Sequence, residues 1–150
     1  MSKYNESKMI DEIRILSLDM INKAQSGHPG ITLSSAPMIY TLFANHMVYD
    51  IEKKDWLNRD RFVLSAGHAS ALLYATTYAT TGDFTIEELQ RYSHINSQTP
   101  SCPELNINKR IECTTGPLGQ GFATSVGMAL AEKYLENKYN TKDITLFNYN

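Results

Sequence analysis

The chain has 150 residues, 42% of them hydrophobic, with 14 basic and 16 acidic residues giving a net charge of -2. That length and apolar content suffice for one domain with a real core, while the even mixing of charge leaves no broad positive field and so excludes nucleic acid and an anionic membrane as partners. Two cysteines, Cys102 and Cys113, match no metal-binding spacing, and no apolar run approaches the roughly 20 residues that cross a bilayer, so a reduced, cytoplasmic setting is expected.

From Glu6 to Ala24 apolar residues recur at helical spacing, with carboxylates near the start where the helix dipole favours them. Gly27, Pro29 and Gly30 end this helix, and a second is expected from near Ser35, with Pro37 in its first turn and Met38, Ile39, Leu42, Phe43 and Met47 as its buried stripe. The bend between them carries His28. Residues 48–61 read as a surface link anchored by Trp56. Phe62–Ser65 has the apolar character of a buried parallel strand, and a third helix follows to a stop near Gly82, placing His68 at a strand-to-helix junction. In an open α/β sheet that edge is where ligands bind.

Thr85-Ile-Glu-Glu88 is a capping box for a short helix through Tyr92. Residues 93–109 show no period, and a loop of that length inside a compact domain is more often functional than idle. Ile111–Cys113 is expected as a short strand into Thr114-Thr-Gly-Pro-Leu-Gly-Gln-Gly121, which holds three of the eight glycines. Behind it the apolar spacing predicts a helix to about Tyr139, then a break and a further strand at 144–147. A glycine turn feeding a helix N-terminus suits an anion, because unpaired N–H groups and the positive dipole end act together; it equally suits a tight turn before a core helix. His28 and His68, of four histidines, lie in glycine-containing bends and can donate to a phosphate or hydroxyl, or satisfy a local carbonyl. Ser65, Ser70 and Cys102 lack the surroundings of a nucleophile motif.

Ser26-Gly-His-Pro-Gly30, Asn58 to Ala69 with Leu72-Leu-Tyr74, and Thr114 to Gly121 followed by Val126-Gly-Met-Ala129 together resemble the N-terminal segment of transketolase, over nearly the whole chain and in order. The resemblance implies an α/β fold, an incomplete doubly wound parallel sheet with flanking helices of the thiamine diphosphate-binding type. It also implies transfer of a two-carbon ketol unit between sugar phosphates, using thiamine diphosphate and Mg2+ in a homodimer. By the same resemblance His68, Gly116, Pro117 and Leu118 contact the cofactor, and His28 assists proton transfer at the sugar hydroxyls. Cys102 stands where the family has a substrate-binding histidine, and a thiol is a weak donor that does not replace a cationic imidazole. Gln98 stands where the family has an arginine.

The family's Gly-Asp-Gly metal motif is expected beyond residue 150, as is the second catalytic domain. Residues 1–150 therefore resemble the N-terminal part of the cofactor-binding domain, and this chain alone is expected to be inactive. The alternative is a non-catalytic interaction or assembly module of the same ancestry.

Overall fold

A computed structural model describes residues 3–149. Three helices make its centre. α1, Lys3–Ala24, buries Ile13, Ser17 and Met20, one face at helical spacing. α2 spans Pro29–Thr41 and continues through a π-helical turn at Leu42–His46. α3, Ser70–Thr81, is buried on nearly every side from Ser70 to Thr77 and ends at Gly82, whose φ of 70° closes the helix by donating its N–H to Thr77 and Tyr78. α1, α2 and α3 pack on one another. The far side of α3 is covered by the segment after it, where Phe84 and Tyr92 stack at 5.2 and 6.3 Å from the Tyr74 ring.

α2 starts earlier than its composition indicates. Pro29 occupies the first turn, where a missing N–H costs nothing, and His28 caps the end, so Gly30 lies inside the helix rather than in the bend before it. The buried stripe shifts accordingly to Thr32, Ala36, Ile39, Tyr40 and Phe43, leaving Met38 70% exposed. Trp56 is not the anchor of the following link. Arg59 is: its guanidinium pairs with both oxygens of Glu112 at 3.2 and 2.8 Å, and both side chains are buried.

The capping box at Thr85 forms in full, opening α4, Ile86–Leu89, which gives way to turns before the expected end at Tyr92. α5, Gln120–Tyr139, follows the glycine turn. The expected parallel sheet is absent among the described residues, where the one bridge outside helices is antiparallel, between Asn106 and Ile111. Residues 62–65 run extended without a neighbouring strand, and a ladder requires a second chain segment at hydrogen-bonding distance. Residues 111–113, expected as a short strand, contribute only Ile111 to that single bridge, and residues 144–147 likewise form no strand. No helix among the described residues is long and apolar enough to cross a membrane.

Candidate functional site

The site is assembled from the ends of elements. His28 caps α2 and is exposed; His68 sits in the 3-10 turn Gly67–Ala69 that opens into α3 and is half-buried. Their rings meet with centroids 4.5 Å apart and planes tilted by 43°. Two bends distant in the sequence thus present one imidazole pair, with four ring nitrogens between them able to donate or accept.

The glycine turn lies against the same junction. A Cβ on Gly67 would stand 2.9 Å from the Gly116 nitrogen and 3.0 Å from the Thr115 hydroxyl oxygen, so the two backbones touch only because Gly67 has no side chain. One turn further on, a Cβ on Gly121 would lie 2.7 Å from the Leu64 carbonyl oxygen, which presses the start of α5 onto the extended segment before His68. Gly119, at φ 84°, caps α5, and Pro117 accepts a bond from the Gln120 N–H. Pro117 and Leu118 project from this turn, Leu118 being 79% exposed. Thr115 Oγ1 is buried and has no hydrogen-bond partner among the described residues.

Cys102 comes to the third side. Its Cβ and Sγ are each 3.8 Å from where a Cβ on Gly116 would be. Of the sequence-selected residues, the structure therefore brings His28 to His68, the residue before His68 to Gly116, and Gly116 to Cys102. Cys102 and Cys113 are both free thiols. Burial, and next the Glu112 carboxylate, push the Cys113 thiol above its ordinary range, which lowers its thiolate fraction and slows its reactions. His94 lies 3.0 Å from the Tyr92 carbonyl through Nδ1, a local structural contact.

The cradle fits a diphosphate in part. Gly67 lets the turn seat closely on the junction, two imidazoles meet at that junction, and the turn leads into the positive end of a 20-residue helix. Among the described residues no group of three or more His, Cys, Asp or Glu side chains could hold a metal ion. A cleft of about 470 Å3, lined in part by Arg61, Val126, Ala129, Glu132 and Tyr149, lies elsewhere, along the body of α5.

Residues that sequence patterns did not select also shape the site. Tyr74 and Tyr92 read as core positions and Ser70 only as a weak nucleophile candidate, yet the Ser70 and Tyr74 hydroxyls hold the loop that carries Cys102, and the Tyr92 hydroxyl bonds Ser70. A serine in a wholly buried first helical turn is the one local signal that could have found this. Away from these contacts, Asp83 is buried between Lys54 Nζ at 2.5 Å and Arg110 Nε at 2.6 Å, joining three connecting segments.

Residues 5–150 match the family model described as "Transketolase, thiamine diphosphate binding domain". The transketolase of Staphylococcus epidermidis is 51% identical over 148 residues, which cover 97% of this chain and 22% of that protein. That of Aquifex aeolicus is 47% identical over 142 residues, covering 91% and 21%. Among solved structures, the transketolase of Leishmania mexicana superposes with a TM-score of 0.90 at 36% identity, over 99% of this chain and 22% of that one. The Pichia stipitis transketolase in complex with sedoheptulose-7-phosphate gives 0.88 at 41% identity, over 96% and 21%. The chain thus spans about a fifth of the length of the curated relatives it matches.

Proposed function

We propose, from the premise that this chain belongs to the transketolase family, that His28, His68 and the glycine turn form one wall of a thiamine diphosphate site for ketol transfer between a ketose phosphate and an aldose phosphate. The contact of the His28 and His68 rings at 4.5 Å, beside a turn seated on Gly67, is the observation that carries this reading. When bound, thiamine diphosphate supplies the electron sink that lets a carbon–carbon bond of the ketose break.

The chain's own residues bind and orient. His68 donates a ring N–H to the diphosphate, and the main chain of Gly116, Pro117 and Leu118 lies against the cofactor, its approach allowed by the close glycine packing. His28, exposed on the outer side of the pair, moves a proton at a sugar hydroxyl. Cys102, next to Gly116, faces the donor sugar, where its thiol gives a weaker hydrogen bond than an imidazole. Mg2+ is held by residues outside this segment. Residues 1–150 are the N-terminal part of the cofactor domain, acting in the cytoplasm in a homodimer whose other parts complete the site. The transketolase of Pichia stipitis, solved with sedoheptulose-7-phosphate, supports sugar phosphates as the substrate class. By itself this chain does not turn over.

The test is a titration of the 15N-labelled chain with thiamine diphosphate and Mg2+ up to millimolar concentration. Amide shifts confined to residues 67, 68, 116 and 118–120 are expected, with affinity weaker than micromolar. Shifts absent there, or equal in a His68→Ala variant, would sink the assignment. A second reading, an assembly module, draws on the apolar stripe of α5, where Phe122, Leu130 and Tyr134 are 69%, 67% and 62% exposed. A stable complex with a whole transketolase, with no cofactor-induced shifts, would favour it.

A further inference from the structure

The segment 99–103 crosses the site without belonging to any helix or strand, yet its carbonyls are held almost one by one. Thr99 O accepts from the Ser93 N–H at 2.9 Å and Pro103 O from the Thr115 N–H at 3.1 Å. Between them, Pro100 O accepts from the Tyr74 hydroxyl at 2.9 Å and Ser101 O from the Ser70 hydroxyl at 2.6 Å. Buried backbone oxygens need such partners, and here side-chain hydroxyls of α3 take the place of a neighbouring strand.

Ser70 is the pivot. It follows His68 by two residues and is fully buried. A carbonyl only accepts, so the single Ser70 proton is committed to Ser101 O. Toward the Tyr92 hydroxyl, 3.0 Å away, Ser70 Oγ must then accept, and Tyr92 donates. The result is a directed chain, Tyr92 to Ser70 to Ser101, in which each bond polarises the next. It ends one residue before Cys102, whose side chain faces Gly116.

We propose that Ser70, backed by Tyr92, is a positioning residue that locks Cys102 onto the glycine turn in register with His68, and so determines which sugar atom the thiol meets. The inference rests on the reading of this cleft as a cofactor and sugar site only for the second clause; the locking of Cys102 stands on the hydrogen bonds alone.

The experiment is alkylation of the whole chain by iodoacetamide, followed at each thiol by mass spectrometry, with Cys113 as the internal control. Ser70→Ala is expected to raise the Cys102 rate about fivefold, the worth of one buried hydrogen bond, with the Cys113 rate and the circular dichroism spectrum unchanged. Loss of general stability would raise both rates together, so a changed ratio reports position and not unfolding. Tyr92→Phe, which removes only the bond behind Ser70, is read in the same way should Ser70→Ala not fold, with about a twofold rise expected. An unchanged ratio in the folded variant overturns the proposal. Thiamine diphosphate with Mg2+ should slow Cys102 alkylation in the parent chain; a raised ratio in Ser70→Ala without that protection would retain the lock and reject the cofactor reading.

Discussion

The ring of His28 touches the ring of His68 at 4.5 Å between centroids, although one caps α2 and the other precedes α3. Side chains in contact do not act independently on a shared ligand. Replacing each by alanine should weaken thiamine diphosphate binding, and the double replacement should depart from the sum of the two by about 0.5–3 kcal/mol. A double-mutant cycle on the dissociation constants from the amide titration measures this. Strictly additive losses would show that the rings meet the ligand separately.

Gly67 and Gly116 predict opposite outcomes for the same substitution. Gly67→Ala places a methyl 2.9 Å from the Gly116 nitrogen, which is backbone and cannot swing aside, so a loss of about 1–3 kcal/mol is expected. Gly116→Ala meets nothing closer than 3.8 Å, and its stability should be near that of the parent while cofactor-induced amide shifts at residues 116 and 118 diminish. Urea unfolding and the same titration separate the two. In the middle of α5, Gly127 has open space around it, and Gly127→Ala should stabilise by about 0.5–1 kcal/mol.

Asp83 is the buried anion between two cations. Asp83→Ala leaves the Arg110 guanidinium, itself buried, without its carboxylate, and the expected cost is about 3–5 kcal/mol. The midpoint of chemical unfolding reads it directly. A loss below about 1 kcal/mol would place this pair with exposed ion pairs.

Tyr74 and Tyr92 predict the behaviour in alkali. Burial pushes both hydroxyls above the ordinary tyrosine range, Tyr74 the further. A raised folded value means the unfolded chain loses these protons first, so their contribution is whole below about pH 10 and declines above it, by about 1.4 kcal/mol per pH unit for each. The last tyrosines to ionise should therefore do so together with loss of helical signal, and Tyr74→Phe should lessen the slope of that loss. Ionisation of all tyrosines before any loss of helix would contradict this.

Much of the fold was legible locally. The periodicity of α1, the Gly82 stop of α3 and the capping box at Thr85 are each decided by residues within a turn of one another, and each forms as read. The start of α2 is not fixed locally, because Pro29 is both a helix breaker and a favoured first-turn residue, and the tertiary packing of Thr32 and Ala36 decides between the two. Residues 62–65 are extended but form no strand, because pairing is a property of two segments and no local pattern encodes it. At the site, His28, His68 and the glycine turn were visible as motifs. The holding role of Ser70 and Tyr92 was not, since a buried hydroxyl looks the same in sequence whether it bonds its own helix or a loop across the core.

Beneath the glycine turn there is no compliant layer. Where α5 meets Leu64, main chain rests on main chain at Gly121, and the same is true of Gly67 under Gly116. Side chains absorb small errors by changing rotamer; these contacts have none to change. Any shift of the extended segment before His68 must be transmitted to the turn undiminished, so substitutions at 64–67 will register at 116–121 as changes of geometry even when they leave the core equally well filled.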